Sequence, residues 1–274
     1  FCQESAQQIN DFSLVGYGEK GKKDWDLSGK TADILTEVVK LSDVVGNLYG
    51  KEEDIRLTAE KGDLNKTDGK VHLEDHVVIT TSGGAKLTTD TLDWDRKDQR
   101  VSTRDPVNIL KDNLEAKAIG ATGQPDLKKV ALEKDVRMNI NPVAPSGPQG
   151  PSGQEKVIIT CDGPLEIDYE KNVATFKNNV KVERTDTIIY SDTMDVFFLA
   201  GAKEENKPGE QAPLGGSKID RILARGHVLI ERGPNVSYSE EALYTAADKK
   251  ITLNGRPKLV IYSSEDLKDA SVRN

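Results

Sequence analysis

The side chains best suited to chemistry in this sequence are its three histidines, two cysteines and scattered aspartates. His72 and His76 stand four residues apart, a spacing that on a helix would direct two metal ligands to one face. On a β-strand the same two residues lie about 13 Å apart, too far to share an ion. The residues around them alternate between apolar and polar as in a strand. We therefore predict no metal site.

The other candidate groups also have simpler explanations than catalysis. His227 falls at a polar turn position, and the glycine pairs at 83–84 and 215–216 lie in turns that open no phosphate-binding helix. Cys2 and Cys161 are too few and too far apart for a disulfide framework. The aspartates that follow strand alternation are expected to face water, although carboxylates from separate strands could still converge as an acid–base pair: Asp90, Asp93, Asp95, Asp192 and Asp195. We predict no catalytic residue and no cofactor.

Composition narrows the class of protein. The 274 residues are 36% hydrophobic and 31% charged, too apolar for a disordered tail and too polar for a membrane-embedded bundle. A net charge of −8 without a dense Lys/Arg tract argues against a nucleic-acid partner. The start at Phe1, without Met, suggests that a signal or membrane segment precedes this sequence, with lipidation of Cys2 as an alternative anchor.

A hydrophobic repeat is the strongest pattern in the chain. Its template places apolar residues at a first position and at +2, +6 and +8, with polar residues between the two pairs. All four positions are separated by even numbers of residues, so on a strand their side chains point to the same face of the sheet. The central polar residues are expected to form a turn or bulge. Six segments follow the template, the last with Pro257 as an exception, and they begin at Val71, Val101, Val130, Ala174, Ile222 and Ile251.

Such one-sided ribbons predict an all-β fold. No single unit can bury its apolar face alone, so units must stack edge to edge around a common interior. The spacing also leaves room for a returning strand in each unit, which suits an open, twisted jelly-roll solenoid of antiparallel strands. Only residues 29–41 also fit a helix, and a strand fits them about as well.

Breaker-rich sequence divides this solenoid into two halves. Residues 141–153 are rich in Pro, Gly and Ser and read as a linker, whereas the glycine-rich residues 200–216 read as a surface loop. The expected organisation is a disordered segment at 1–10, a first half at 11–141, a linker at 142–154, a second half at 155–265 and a tail at 266–274.

Several motifs in the two halves resemble lipopolysaccharide transport (Lpt) proteins. WDL at 25–27, LTAEKG at 57–62 and LTTDTLDW at 87–94 are similar to the LptC component, which lies beside the inner-membrane ABC transporter. After the linker, ITCDGPLEID at 159–168, ATFKNNVKV at 174–182 and YSDTMDV at 190–196 resemble the OstA-like bridge component LptA, although Asn178 replaces a usual glycine. The chain thus resembles an LptC-like half fused to an LptA-like half.

The resemblance implies a non-enzymatic periplasmic protein of Gram-negative-type bacteria, tethered to the inner membrane through a segment outside this sequence. It would receive lipopolysaccharide from the ABC transporter and pass it toward the outer membrane. Its edge strands, expected near residues 25–39 and 258–263, would pair with other jelly-roll Lpt proteins or with a second copy. Acyl chains would contact Leu57, Leu73, Val77, Ile79, Val107, Ile109, Phe176, Val180, Val182, Val228 and Ile230.

Two other classes of protein remain open at this stage. A β-solenoid scaffold would fill its interior entirely with its own side chains and bind no ligand. A solenoid enzyme acting on polysaccharide would gather several acidic residues on one outer face.

Overall fold

The computed structural model describes residues 7–18, 21–50, 54–95, 97–98, 100–111, 114–124, 129–141, 156–168, 170–199, 219–248 and 250–261. Within these ranges the chain forms β-strands and no α-helix, and residues 29–34 and 38–41 belong to two strands joined by a short bend. The predicted linker, the loop at 200–216, the tail at 266–274 and Cys2 lie outside the described residues.

The strands follow one another closely along the chain. The first nine are β1 Gln7–Tyr17, β2 Lys23–Ile34, β3 Val38–Tyr49, β4 Asp54–Asn65, β5 Val71–Thr81, β6 Lys86–Asp95, β7 Arg100–Lys111, β8 Leu114–Gly123 and β9 Lys129–Ile140. The remainder are β10 Val157–Cys161, β11 Leu165–Asp168, β12 Val173–Glu183, β13 Thr187–Phe198, β14 Ile219–Arg232, β15 Asn235–Thr245, β16 Lys250–Asn254 and β17 Lys258–Val260.

All of these strands belong to one antiparallel sheet. From β1 to β9 and from β12 to β15, each strand pairs with the next one in the chain. β10 and β11 lie end to end between β9 and β12, and β16 and β17 lie end to end beside β15. The predicted all-β, antiparallel, OstA-like jelly-roll is therefore confirmed.

Each template repeat contains a bend at its polar centre. The register shifts between Glu74 and Val77 on β5, between Lys177 and Val180 on β12, and between Arg225 and Val228 on β14. The bends use residue types that tolerate positive φ, namely Asp75, His76, Asp135, Asn178, Asn179, Gly226 and His227. Because these bends recur across neighbouring strands, the long sheet folds over itself into two facing arms.

Burial follows the template. In β5, β7, β9, β12 and β14 the two central template positions are all buried: Leu73 and Val77, Thr103 and Val107, Leu132 and Val136, Phe176 and Val180, Ala224 and Val228. The outer template positions are mixed, since four of them are buried and the other six are partly exposed; the buried ones are Val71, Met138, Ala174 and Val182. The sixth repeat, at the end of the sheet, departs from the burial of the central positions, since Leu253 is only partly buried and Pro257 is exposed. Its outer residues Ile251 and Leu259 are 52% and 57% exposed.

The apolar core is divided at a different place from the linker. One cluster of buried residues runs from β1 to β6, and a second runs from β7 to β15 without a break at the 142–154 segment. Between the clusters, β6 and β7 pair at Thr88 with Asn108 and again at Asp93 with Ser102, but the register shifts between these points. The core boundary therefore lies inside the predicted first half.

The N-terminal edge also differs from expectation. Residues 7–10 belong to β1, so the expected disorder of residues 1–10 is wrong for that part. β1 pairs along β2 from Gln7 opposite Ile34 to Tyr17 opposite Lys23, so the edge strand is β1 and not the segment at 25–39. At the other end, β17 lies within the expected edge at 258–263.

Candidate apolar trough

The residues predicted to contact acyl chains all lie on the inner side of the folded sheet. Leu57, Leu73 and Val77 belong to the first cluster, with Ile79 packed against it. The second cluster contains Val107, Phe176, Val180, Val182 and Val228, with Ile109 and Ile230 packed against it. The structure therefore arranges them in two consecutive groups along one trough.

The trough is filled by these side chains. Leu73 is 1% exposed, Val77 0% and Phe176 1%, so the facing arms are in contact in this state. Aliphatic and aromatic groups dominate the wall, and such a wall can bind apolar groups without directing any chemical step. Any ligand of this interior would have to displace these side chains from one another.

A column of small buried side chains runs along the bend, and sequence reasoning missed it. The third template position is valine in β5, β7, β9, β12 and β14, and each valine lies opposite a small residue on the next strand of the chain. These residues are Thr89, Ala118, Cys161, Ser191 and Ser239. All are buried. Small side chains fit here because the two arms converge at the bend.

The buried polar atoms in this column differ between the two clusters. Thr89 Oγ1 lies 3.3 Å from Thr103 Oγ1, so the two hydroxyls can share a hydrogen bond at the seam between β6 and β7. The hydroxyl oxygens of Ser191 and Ser239 are buried and have no hydrogen-bond partner. Cys161 is a buried free thiol whose pKa is raised by its burial.

The histidines lie outside the trough and pair with carboxylates. His72 Nδ1 is 2.6 Å from Asp93 Oδ1, whereas His76 Nδ1 is 2.9 Å from Glu60 Oε1. The hydrogen bond that His227 Nδ1 donates to Asp192 raises the pKa of His227 above its usual value. In the described part of the chain, no three His, Cys, Asp or Glu side chains gather around a possible metal position.

The predicted exposure of the aspartates holds only in part. The side chains of Asp93 and Asp192 are 65% and 55% exposed, but those of Asp95 and Asp195 are only 22% and 14% exposed. Asp195 is covered by Arg225, whose Nη1 lies 2.9 Å from Asp195 Oδ2, and it accepts a hydrogen bond from Thr175. These carboxylates form ion pairs on the outer face.

One shallow cavity lies over the seam between β6 and β7. It has a volume of about 390 Å³ and is lined by residues of β5 to β8, including the buried Val77, Val107 and Ala118. The pairing of β6 with β7 is interrupted at this seam, between the pair of Thr88 with Asn108 and the pair of Asp93 with Ser102. No helix in the described ranges has the length and apolarity needed to cross a membrane.

Comparison with known proteins identifies the family to which this chain belongs. Residues 3–141, half of the chain, match the family described as lipopolysaccharide-assembly, LptC-related. The chain belongs to this LptC-related family. Residues 163–272 match a second family, described as LptA/(LptD N-terminal domain) LPS transport protein. The predicted fusion of an LptC-like half with an LptA-like half is confirmed, and the two matches support a role in lipopolysaccharide transport.

One individual protein is also similar to part of this chain. An uncharacterized protein of Rhizobium meliloti (strain 1021) is 28% identical over 116 residues, which cover 42% of this chain and 58% of that protein. The aligned part thus spans less than two thirds of the relative.

Proposed function

We propose that this LptC-related protein is a periplasmic carrier and bridge that binds the acyl chains of lipopolysaccharide between its two arms. The observation that carries the proposal is the second core cluster, which runs without a break from β7 to β15 and to which both family regions contribute. Leu132 of the LptC-related region and Leu165 of the LptA-like region are 1% and 0% exposed in the same cluster. A lipid moving along this wall would cross from one region to the other without leaving the protein.

Burial of acyl chains would supply the binding energy. Each methylene removed from water contributes about 0.8 kcal/mol, so a chain of about twelve methylenes contributes on the order of 10 kcal/mol before ordering costs. Part of this energy would be used to separate Leu73, Val77, Phe176 and their neighbours from the contacts that they make in the closed state. The sugar and phosphate groups would stay outside the trough.

The two ends of the sheet support the bridging role. β1 carries Ile9 and Val15 with 45% and 41% exposure, and β17 carries Leu259 with 57% exposure. An edge strand presents unpaired backbone N–H and C=O groups on which another strand can add. The β1 end would pair with the inner-membrane Lpt ABC transporter, and the β17 end with another jelly-roll Lpt protein or a second copy.

The proposal includes an inner-membrane tether and no enzymatic activity. The tether would come from a segment outside this sequence. No bond of the lipid would be formed or broken in the trough, because its wall presents apolar groups. The energy for movement would come from ATP hydrolysis by the transporter.

Site-specific photo-cross-linking tests the proposal. A photoreactive phenylalanine analogue at Phe176 should cross-link purified lipopolysaccharide, since Phe176 is 1% exposed on the inner wall. The matched control is the same analogue at Thr175, which faces outward and donates a hydrogen bond to Asp195. Cross-linking at both positions or at neither would contradict a trough that holds acyl chains.

A scaffold without ligand is the second candidate function. It is favoured by the filled interior, in which Leu165 and Ala174 are fully buried by neighbouring side chains. A scaffold would give no cross-link at Phe176 and would keep its stability unchanged when lipopolysaccharide is added. A bound lipid should raise the stability, because a ligand that binds only the folded state stabilises that state.

A further inference from the structure

The two tryptophans of the chain meet at the margin of the first cluster. The ring centroids of Trp25 on β2 and Trp94 on β6 are 6.3 Å apart, and the ring planes are nearly perpendicular at 89°. β2 and β6 are separated by three intervening strands, which in a flat sheet would place them about 19 Å apart. The contact therefore reaches across the interior and does not run along the sheet.

Strand register places the two rings on opposite arms. Trp25 lies opposite Leu48 of β3, which in turn lies opposite Ile55 of β4. Trp94 lies opposite Val71 of β5, which in turn lies opposite Leu64 of β4. Ile55 and Leu64 are at opposite ends of β4, and the bend of the β4–β5 pair, between Thr58 and Lys61, lies between them. The tryptophans thus join the arms at a point away from the bend.

Both tryptophans have closely packed surroundings. They are partly buried and pack against the first cluster. Trp25 also covers Gly16 of β1, where an added Cβ would lie 2.0 Å from the indole Nε1. The next residue, Asp26, accepts hydrogen bonds from Asn47 at 2.8 Å and from Tyr49 at 2.7 Å. The arm that carries Trp25 is therefore held to its neighbouring strands by packing on Gly16 and by hydrogen bonds to Asp26.

We propose that Trp25 and Trp94 form a latch across the mouth of the LptC-related trough, which is the side of the two facing arms away from the bend, and that acyl chains enter between their rings. This inference rests on the proposed function and names the entry contact for the same trough. An edge-to-face pair is a weak contact, and an acyl chain that packs against both rings can replace it. The predicted list of lipid-contacting residues did not include either tryptophan.

The composition of the chain makes the latch directly observable. The chain has two tryptophans, so every indole signal comes from this pair. Two indoles in contact should give a coupled circular-dichroism band in the full chain, and Trp25→Phe or Trp94→Phe should remove it. Purified lipopolysaccharide should also remove the band and shift the fluorescence. Lipopolysaccharide stripped of its acyl chains should leave both unchanged.

Association rates provide a second measurement. Trp25→Ala should bind lipopolysaccharide roughly two- to tenfold faster, because a latch contact no longer has to open. Trp25→Phe keeps an aromatic ring and should lie between this variant and the wild type. Tyr238→Ala removes an aromatic side chain that is 47% exposed outside the mouth, and its association rate should equal that of the wild type.

The outcomes separate the latch from the proposed function. If lipopolysaccharide cross-links at Phe176 while the coupled band persists, the latch is wrong and the carrier function stands. Equal association rates for Trp25→Ala and the wild type would also overturn the latch. If lipopolysaccharide fails to bind the wild type at all, the carrier function is wrong and the latch is wrong with it.

Discussion

Leu132 on β9 lies directly opposite Leu165 on β11, and both side chains are buried in one cluster. The first residue belongs to the LptC-related region and the second to the LptA-like region. Met138 on β9 also lies opposite Ile159 on β10, which precedes the LptA-like region, and both side chains are buried in the same cluster. The junction between the two family regions is thus an ordinary strand pair within a continuous core, and the two regions should respond together to changes at this point.

Leu165→Ala should lower the free energy of unfolding by about 2–5 kcal/mol, because it leaves a cavity at a fully buried position of the junction. The measurement is equilibrium denaturation followed by circular dichroism. Ile251→Ala is the control, since Ile251 is 52% exposed and its loss should change stability by less than about 0.5 kcal/mol. Equal effects of the two substitutions would contradict the shared core.

Gly163→Ala should destabilise the junction more than Gly69→Ala. Both glycines have positive φ, +99° for Gly163 and +72° for Gly69, so alanine is strained at each position. At Gly163 the added Cβ would also lie 2.2 Å from the backbone oxygen of Glu133, whereas at Gly69 nothing lies within 4 Å. We expect about 1 kcal/mol at Gly69 from strain alone, and a clearly larger loss at Gly163. Thermal denaturation of the two variants compares them directly.

Ser191→Ala should raise the free energy of unfolding by on the order of 1 kcal/mol. The Ser191 hydroxyl oxygen is buried without a hydrogen-bond partner, and an unpaired buried polar group costs free energy. Ser239→Ala should have the same sign for the same reason. Thr103→Ala is the contrasting variant, because the Thr103 hydroxyl has hydrogen-bond contacts that the substitution removes. A stability loss in both serine variants would contradict this explanation.

Asp26→Asn should lower stability at pH 7 but not at strongly acidic pH. Burial by itself raises the pKa of Asp26, but hydrogen bonds from Lys23, Asn47 and Tyr49 outweigh it and lower the pKa from 3.8 to about 2. Because the folded-state pKa is depressed, this stabilisation is present above pH 3.8 and is lost as pH falls through about 2. The side chain is 12% exposed, so we expect an effect on the order of 2 kcal/mol at pH 7.

Denaturant titrations of the wild type and Asp26→Asn at pH 7, 4 and 2 measure this effect. The difference between the two proteins should shrink steadily toward the lowest pH. A difference that stays constant across the series would show that the charge of Asp26 does not contribute.

The repeat of apolar residues determined the fold class from the sequence alone. Side chains two residues apart on a strand share a face, so quartets such as Val71, Leu73, Val77 and Ile79 predict a one-sided strand whatever its neighbours are. The polar centres predicted the bends for a similarly local reason, since Asn178 and Asn179 tolerate positive φ. The family resemblance also rested on local motifs. All of these signals lie within a few consecutive residues.

Only the tertiary structure decided which distant residues meet. It paired β9 with β11 across the predicted linker and placed the core boundary between β6 and β7. It also placed a small residue opposite each valine at a bend and brought Trp25 into contact with Trp94. The hydrophobic pattern states that a side chain will be buried, but it carries no information on its partner. That choice depends on strand register and on how the two arms close, which are properties of the whole sheet.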